Sequence, residues 1–153
     1  MTVRITGPTR RKGLAAVDRR LLRSRATRLL RELSGDGGGL PSGSELSIVL
    51  ADDQAISALN ASFKGRKGPT DVLSFSLLEG EHADYRGALL GDVVIGIETA
   101  ARQARTRRRS LDDEVARLLI HGALHLLGYD HARSEQTRRM RAEERRLWRL
   151  LKG

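Results

Sequence analysis

At 153 residues, 39% of them hydrophobic, the chain fits one domain of ordinary size and can bury about 70% of its unfolded surface without a covalent staple. It has no cysteine, which excludes disulfides and thiolate ligands; no apolar run approaches the ~18 residues of a membrane span, and the start, MTVRITGPTRRKG, lacks the apolar segment of a secretory signal. Lys and Arg number 28 against 19 Asp and Glu, a formal net charge of +9 that fits a polyanionic partner and an arginine-rich solvated surface equally, while 3% aromatic residues argue against a base-stacking platform.

Residues 2–6 (TVRIT) alternate as a half-buried strand does, and Gly7-Pro8 ends it. Across residues 14–33, Leu14, Val17, Leu21, Leu22, Leu29, Leu30 and Leu33 recur at helical spacing among arginines, which predicts a helix with a basic outer face. Residues 34–43 (SGDGGGLPSG) read as a loop too short for an interdomain linker, so residues 1–153 are expected to form a single domain. Residues 45–51 (ELSIVLA) read as a strand, after which Asp52 or Asp53 can cap a helix running to about Phe63. A basic loop, KGRKGP, follows. Two further strands are expected at residues 71–77 (DVLSFSL) and 90–97 (LGDVVIGI), separated by the polar stretch 79–87. Helices then dominate: residues 98 to about 108, one from 111, and one from about 134 to 151. Ser110 followed by Asp113 matches a capping box at the start of the middle helix. Strands in the first two thirds and helices in the last third imply an α+β fold, a small sheet packed by helices.

Residues 121–131 read HGALHLLGYDH and hold three of the chain's four histidines. His121 and His125 stand at i and i+4 and leave one face of the capped helix a turn apart. Gly128 follows where a helix end commonly needs a left-handed residue, so the chain can reverse and return His131 as a third ligand. The pattern HxxxHxxGxxH has the spacing of the metzincin zinc signature. Those proteases carry glutamate, their general base, directly after the first histidine. Here that residue is Gly122, so a peptidase working through such a glutamate is not expected, although the metal cage is intact. Three imidazoles leave an open position for water or substrate and fit zinc best, with nickel, copper and iron left open. Asp130 can orient an imidazole, act as a proton acceptor beside the metal, or simply make the turn. His82, in GEHADY, has no partner at ligand spacing and reads as a surface residue. Glu144 shares a helical stripe with Met140, Leu147 and Leu151, where it either orients a metal-bound histidine or pairs with an arginine.

HGALHLLGYDH, with GPTDVLSF at residues 68–75 and LGDVVI at 90–95, resembles the YbeY family of rRNA maturation factors, which are metal-dependent endoribonucleases, and the likeness runs over about residues 46–151. The resemblance implies a zincin-like metal-hydrolase fold without the protease glutamate. It implies one zinc ion per chain, or another divalent transition metal, on His121, His125 and His131. It further implies cleavage of single-stranded RNA in rRNA maturation, including the 3′ end of the small-subunit rRNA, and in ribosome quality control. The expected partners are rRNA and the small ribosomal subunit in the cytoplasm, with neither DNA nor membrane involved. One departure stands out: where the family shows YRGKDxPT, this chain has FKGRKGPT, so Lys64 takes the arginine position and keeps the charge without the planar fork. Lys64 and Asp130 are the catalytic candidates, and Lys64, Arg66 and Lys67 the RNA-binding ones; a solvated loop is the alternative for the three cations. Asp71 and Ser74 either line the metal cleft or close local hydrogen bonds. The rival function is a ribosome-assembly RNA-binding factor with a structural or weakly catalytic metal site, and a metallopeptidase is a poorer third.

Overall fold

In a computed structural model of the chain, residues 2–7, 16–34, 44–76, 89–129 and 134–152 are described. They form β1 (Thr2–Thr6), α1 (Arg19–Ser34), β2 (Glu45–Ala51), α2 (Asp53–Lys64), β3 (Val72–Ser76), β4 (Leu89–Gly96), α3 (Ile97–Thr106), α4 (Leu111–Leu126) and α5 (Ser134–Lys152). The four strands make one mixed sheet in the order β1-β2-β4-β3, with β1, β2 and β4 parallel and β3 antiparallel on the β4 edge. This is the expected α+β arrangement.

Most elements begin and end within a residue or two of their expected bounds, and α1 is the exception. Its apolar period starts before the helix does. Asp18 accepts a hydrogen bond from the Leu21 amide at 3.0 Å, a cap that opens the helix at Arg19, while Val17 is buried outside it. Asp52, not Asp53, caps α2, accepting from the Ala55 amide at 2.8 Å. Ser110 caps α4 as the capping box anticipates, accepting from the Asp113 amide at 3.0 Å. The expected loop residues 35–43, the stretch 79–87 with His82, and Asp130 and His131 lie outside the described residues.

The core sits between the sheet and α1, α4 and α5, with α4 at its centre, apolar around most of its circumference. Two features set where α4 lies. Glu114, 0% exposed, accepts from Arg107 at 2.7 Å and Arg109 at 3.1 Å, which ties the first turns of α4 to the end of α3. At the other end Gly122 lets the helix approach the sheet closely: a Cβ there would stand 2.7 Å from Val93 Cγ1, 3.1 Å from Ser74 Oγ and 3.2 Å from Val72 Cγ2. Ser74 Oγ donates to the Gly122 carbonyl at 2.9 Å and Ser76 Oγ to the Leu126 carbonyl at 3.4 Å, so alternate residues of β3 stitch that edge strand to successive turns of α4. The intervening residues Leu73 and Phe75 face the opposite way, toward α2, in a second small core around Ile56.

Candidate functional site

The edge strand β3 thus separates two neighbours, the histidine-bearing helix α4 and the end of α2, and an open cleft of about 970 Å³ runs along it. His121 and His125 line one side and Lys64, Arg66 and Lys67 the other, so five of the sequence-nominated residues meet at one place.

On the histidine side the two imidazoles stand nearly perpendicular, their Nε2 atoms 3.1 Å apart. Two nitrogens bound at about 2.0–2.1 Å to one tetrahedral zinc are separated by roughly 3.3 Å, so the pair is arranged as two ligands of one ion would be. His121 Nδ1 donates to Glu144 Oε1 at 3.1 Å. A carboxylate can only accept, so this bond puts the proton on Nδ1 and leaves the Nε2 lone pair for the cleft. Of the two sequence readings for Glu144, the histidine partner is the one realised. Among the described residues no group of three His, Asp or Glu side chains forms a metal set; His131, the third nominated ligand, and Asp130 fall outside them. Past His125 the helix ends as read, with Gly128 at φ +95° and the Tyr129 amide bonding back to the Leu124 carbonyl at 3.1 Å.

On the cationic side, Lys64 closes α2 and Gly65, at φ +64°, turns the chain out of the helix. Asn60, buried on the same helix face as Ile56, donates from Nδ2 to the Gly68 carbonyl at 3.0 Å, and its own carbonyl accepts from the Arg66 amide at 3.3 Å. The basic loop is therefore clamped at both ends onto α2.

The chain has only two phenylalanines, and the fold brings both to this rim: Phe63 lies edge-on to Phe75 with ring centroids 5.3 Å apart, and the Lys64 ammonium stands 6.0 Å from the Phe75 ring. Phe63 is 66% exposed. Low aromatic content argues against a stacking platform, yet the two phenylalanines present meet beside the basic loop. Asp71 and Ser74 satisfy both readings offered for them, since they line the cleft and also close structural bonds, Asp71 Oδ2 accepting from Gln103 Nε2 at 3.2 Å.

The model of the family described as Endoribonuclease YbeY matches residues 11–152. The chain belongs to the endoribonuclease YbeY family. A YbeY endoribonuclease of Anaeromyxobacter sp. is 46% identical over 147 residues, 96% of this chain and 70% of that protein. One from Syntrophus aciditrophicus is 39% identical over 139 residues, 90% and 83% of the two chains. The solution structure of a Thermotoga maritima protein superposes with a TM-score of 0.63 at 25% identity, covering 97% of this chain and 88% of that one. Within the YbeY family this chain is a hydrolase acting on RNA, and the cleft is where its histidines and its clamped cationic loop converge.

Proposed function

We propose that this chain, a single domain over residues 1–153, is a metal-dependent endoribonuclease that cuts single-stranded RNA in the cytoplasm during rRNA maturation, including the 3′ end of the small-subunit rRNA, and during ribosome quality control. The observation that carries the reading is the convergence of the two Nε2 atoms, 3.1 Å apart, across one cleft from Lys64, Arg66 and Lys67. His121, His125 and His131 would hold the ion, zinc fitting an all-imidazole set best. When bound, such an ion polarises a phosphoryl oxygen and lowers the pKa of water. Glu144 holds the His121 ring in the tautomer that turns Nε2 to the cleft. Lys64, Arg66 and Lys67 neutralise the scissile and neighbouring phosphates as negative charge builds, with Lys64 acting at the position where relatives carry arginine. Asp130, next to His131 in sequence, serves as the proton acceptor that Gly122 cannot be.

The preference for single strands is supported by Phe63 and Phe75. An exposed ring beside a cationic loop offers an unpaired base a stacking face that a duplex cannot use. The partners that follow are single-stranded rRNA and the small ribosomal subunit. No described helix is long and apolar enough to cross a membrane.

The test is cleavage of unstructured RNA by highly purified protein beside His121→Ala and His125→Ala variants. Loss of cleavage in both is the expected result. Variants that cut as fast as wild type would leave the chain as a ribosome-assembly RNA-binding factor whose metal site is structural.

A further inference from the structure

Between α4 and α5 lies a second, open cavity of about 460 Å³, lined by Arg117, Arg141, Arg145, Arg149 and Trp148 together with the buried Ile120 and with Glu144, the partner of His121. Four guanidinium groups here face one carboxylate, and that carboxylate is engaged by His121. Two other arginines of α5 are engaged differently. Arg139 pairs with Glu135 at 3.3 Å, and Arg146 reaches Glu143 and Glu32, hydrogen bonds that hold its guanidinium above the ordinary arginine value. The four cavity arginines make no ion pair among the described residues. Arg117 is the most committed of them. Its guanidinium lies 4.5 Å from the centre of the Trp148 ring, with Arg25 5.5 Å from the same ring, and its Nε is buried without a hydrogen-bond partner. Burial first, and then the charge of Arg109, lowers its pKa against the opposing charges of Glu114 and Asp113, and an anion arriving there would add to that opposition.

We infer that this arginine cavity is a second RNA-binding site that takes the phosphodiester backbone of a single strand whose scissile bond lies in the histidine cleft. Size separates a chain from a free anion. Arg141, Arg145 and Arg149 stand at i, i+4 and i+8 on α5, a stripe about 12 Å long, which exceeds the reach of one phosphate. Trp148, which lines the cavity beside them, gives the stripe an apolar wall against which sugar and base can lie. Glu144 links the two places, lining the cavity and bonding the His121 ring that lines the cleft. The inference rests on the endoribonuclease reading for its ligand, and its test is built on binding, not cleavage.

Fluorescence anisotropy of a labelled, unstructured oligoribonucleotide, with chelator present to stop cleavage, is measured over a range of salt concentrations. The combined variant Arg141→Gln, Arg145→Gln, Arg149→Gln replaces exposed helix positions with a good helix former, and circular dichroism checks that it folds. Each backbone contact contributes about 0.7 to the slope of log affinity against log salt for a single strand, so losing three lowers the slope by about 2. An equal charge change on α1, Arg20→Gln with Arg28→Gln and Arg31→Gln, should leave the slope near wild type. Inorganic phosphate should displace the RNA no better than chloride at equal ionic strength. The inference is overturned by a cavity variant with the wild-type slope, by both variants lowering it equally, or by specific displacement with phosphate. Wild-type protein that shows the expected slopes but cuts no RNA without chelator would refute the endoribonuclease reading and leave the cavity assignment standing. Cleavage with an unaltered slope would do the reverse.

Discussion

Gly122 occupies the position at which zinc proteases of the same histidine spacing carry their general base, and its role here is steric. With Val93 and Val72 waiting at 2.7 and 3.2 Å from any added Cβ, a side chain at this point drives α4 off the sheet. Gly122→Ala is therefore expected to cost about 1–3 kcal/mol in urea unfolding, the range for overpacking a tight core, and to weaken the site by moving both histidines. An alanine variant as stable as wild type would show that the helix can shift without strain. Glu144 makes a different kind of contribution, since it acts through His121. Glu144→Gln keeps the size of the side chain but removes its charge and its fixed acceptor role. About 10–100-fold weaker metal binding, measured by competition with a chromogenic chelator, is the expected consequence, with stability little changed. Unaltered affinity would reduce the 3.1 Å contact to a surface pairing.

Among the elements, α4 carries the site because it is held at both ends. Its C-terminal half is tied to β3 by Ser74 and Ser76, and its N-terminal half to α3 by the buried Glu114 between Arg107 and Arg109. Removing both cations leaves a fully buried carboxylate without its hydrogen-bonded partners, with only the more distant charge of Arg117 to offset it. The double variant Arg107→Ala, Arg109→Ala is expected to lose about 3–5 kcal/mol by chemical denaturation, and a loss within the scatter of a surface substitution would mean that water reaches Glu114. The α2 end is organised by a weaker device. Asn60 clamps a loop, and the cations it carries toward the cleft are correspondingly exposed.

Over the whole molecule, what could be read in advance was what short stretches of chain encode. The i, i+4 spacing of His121 and His125, the Ser110 cap and the left-handed Gly128 depend on a few neighbouring residues, and each stands as read. The start of α1 departs from the apolar period, which continues through Val17, because a cap at Asp18 decides where the helix opens. The pairing of Phe63 with Phe75 and the reach of Asn60 to Gly68 were not legible, and for Glu144 the sequence left a histidine and an arginine partner open. Each depends on how elements distant in sequence come to face one another, and composition even pointed away from an aromatic rim. The basic surface shows the same division: a net charge of +9 leaves a polyanionic partner and a solvated surface equally open, and it is the packing of α5 on α4 that gathers four arginines, without ion pairs among the described residues, in one cavity with Trp148. These pieces meet in one claim, that the histidine cleft binds a metal ion and uses it to cut RNA. The most direct test is elemental analysis of the purified protein alongside cleavage of unstructured RNA before chelation, after it and after zinc is restored. The account predicts about one zinc per chain, lost together with cleavage and regained with it. Metal removed while cleavage continues unchanged would contradict it.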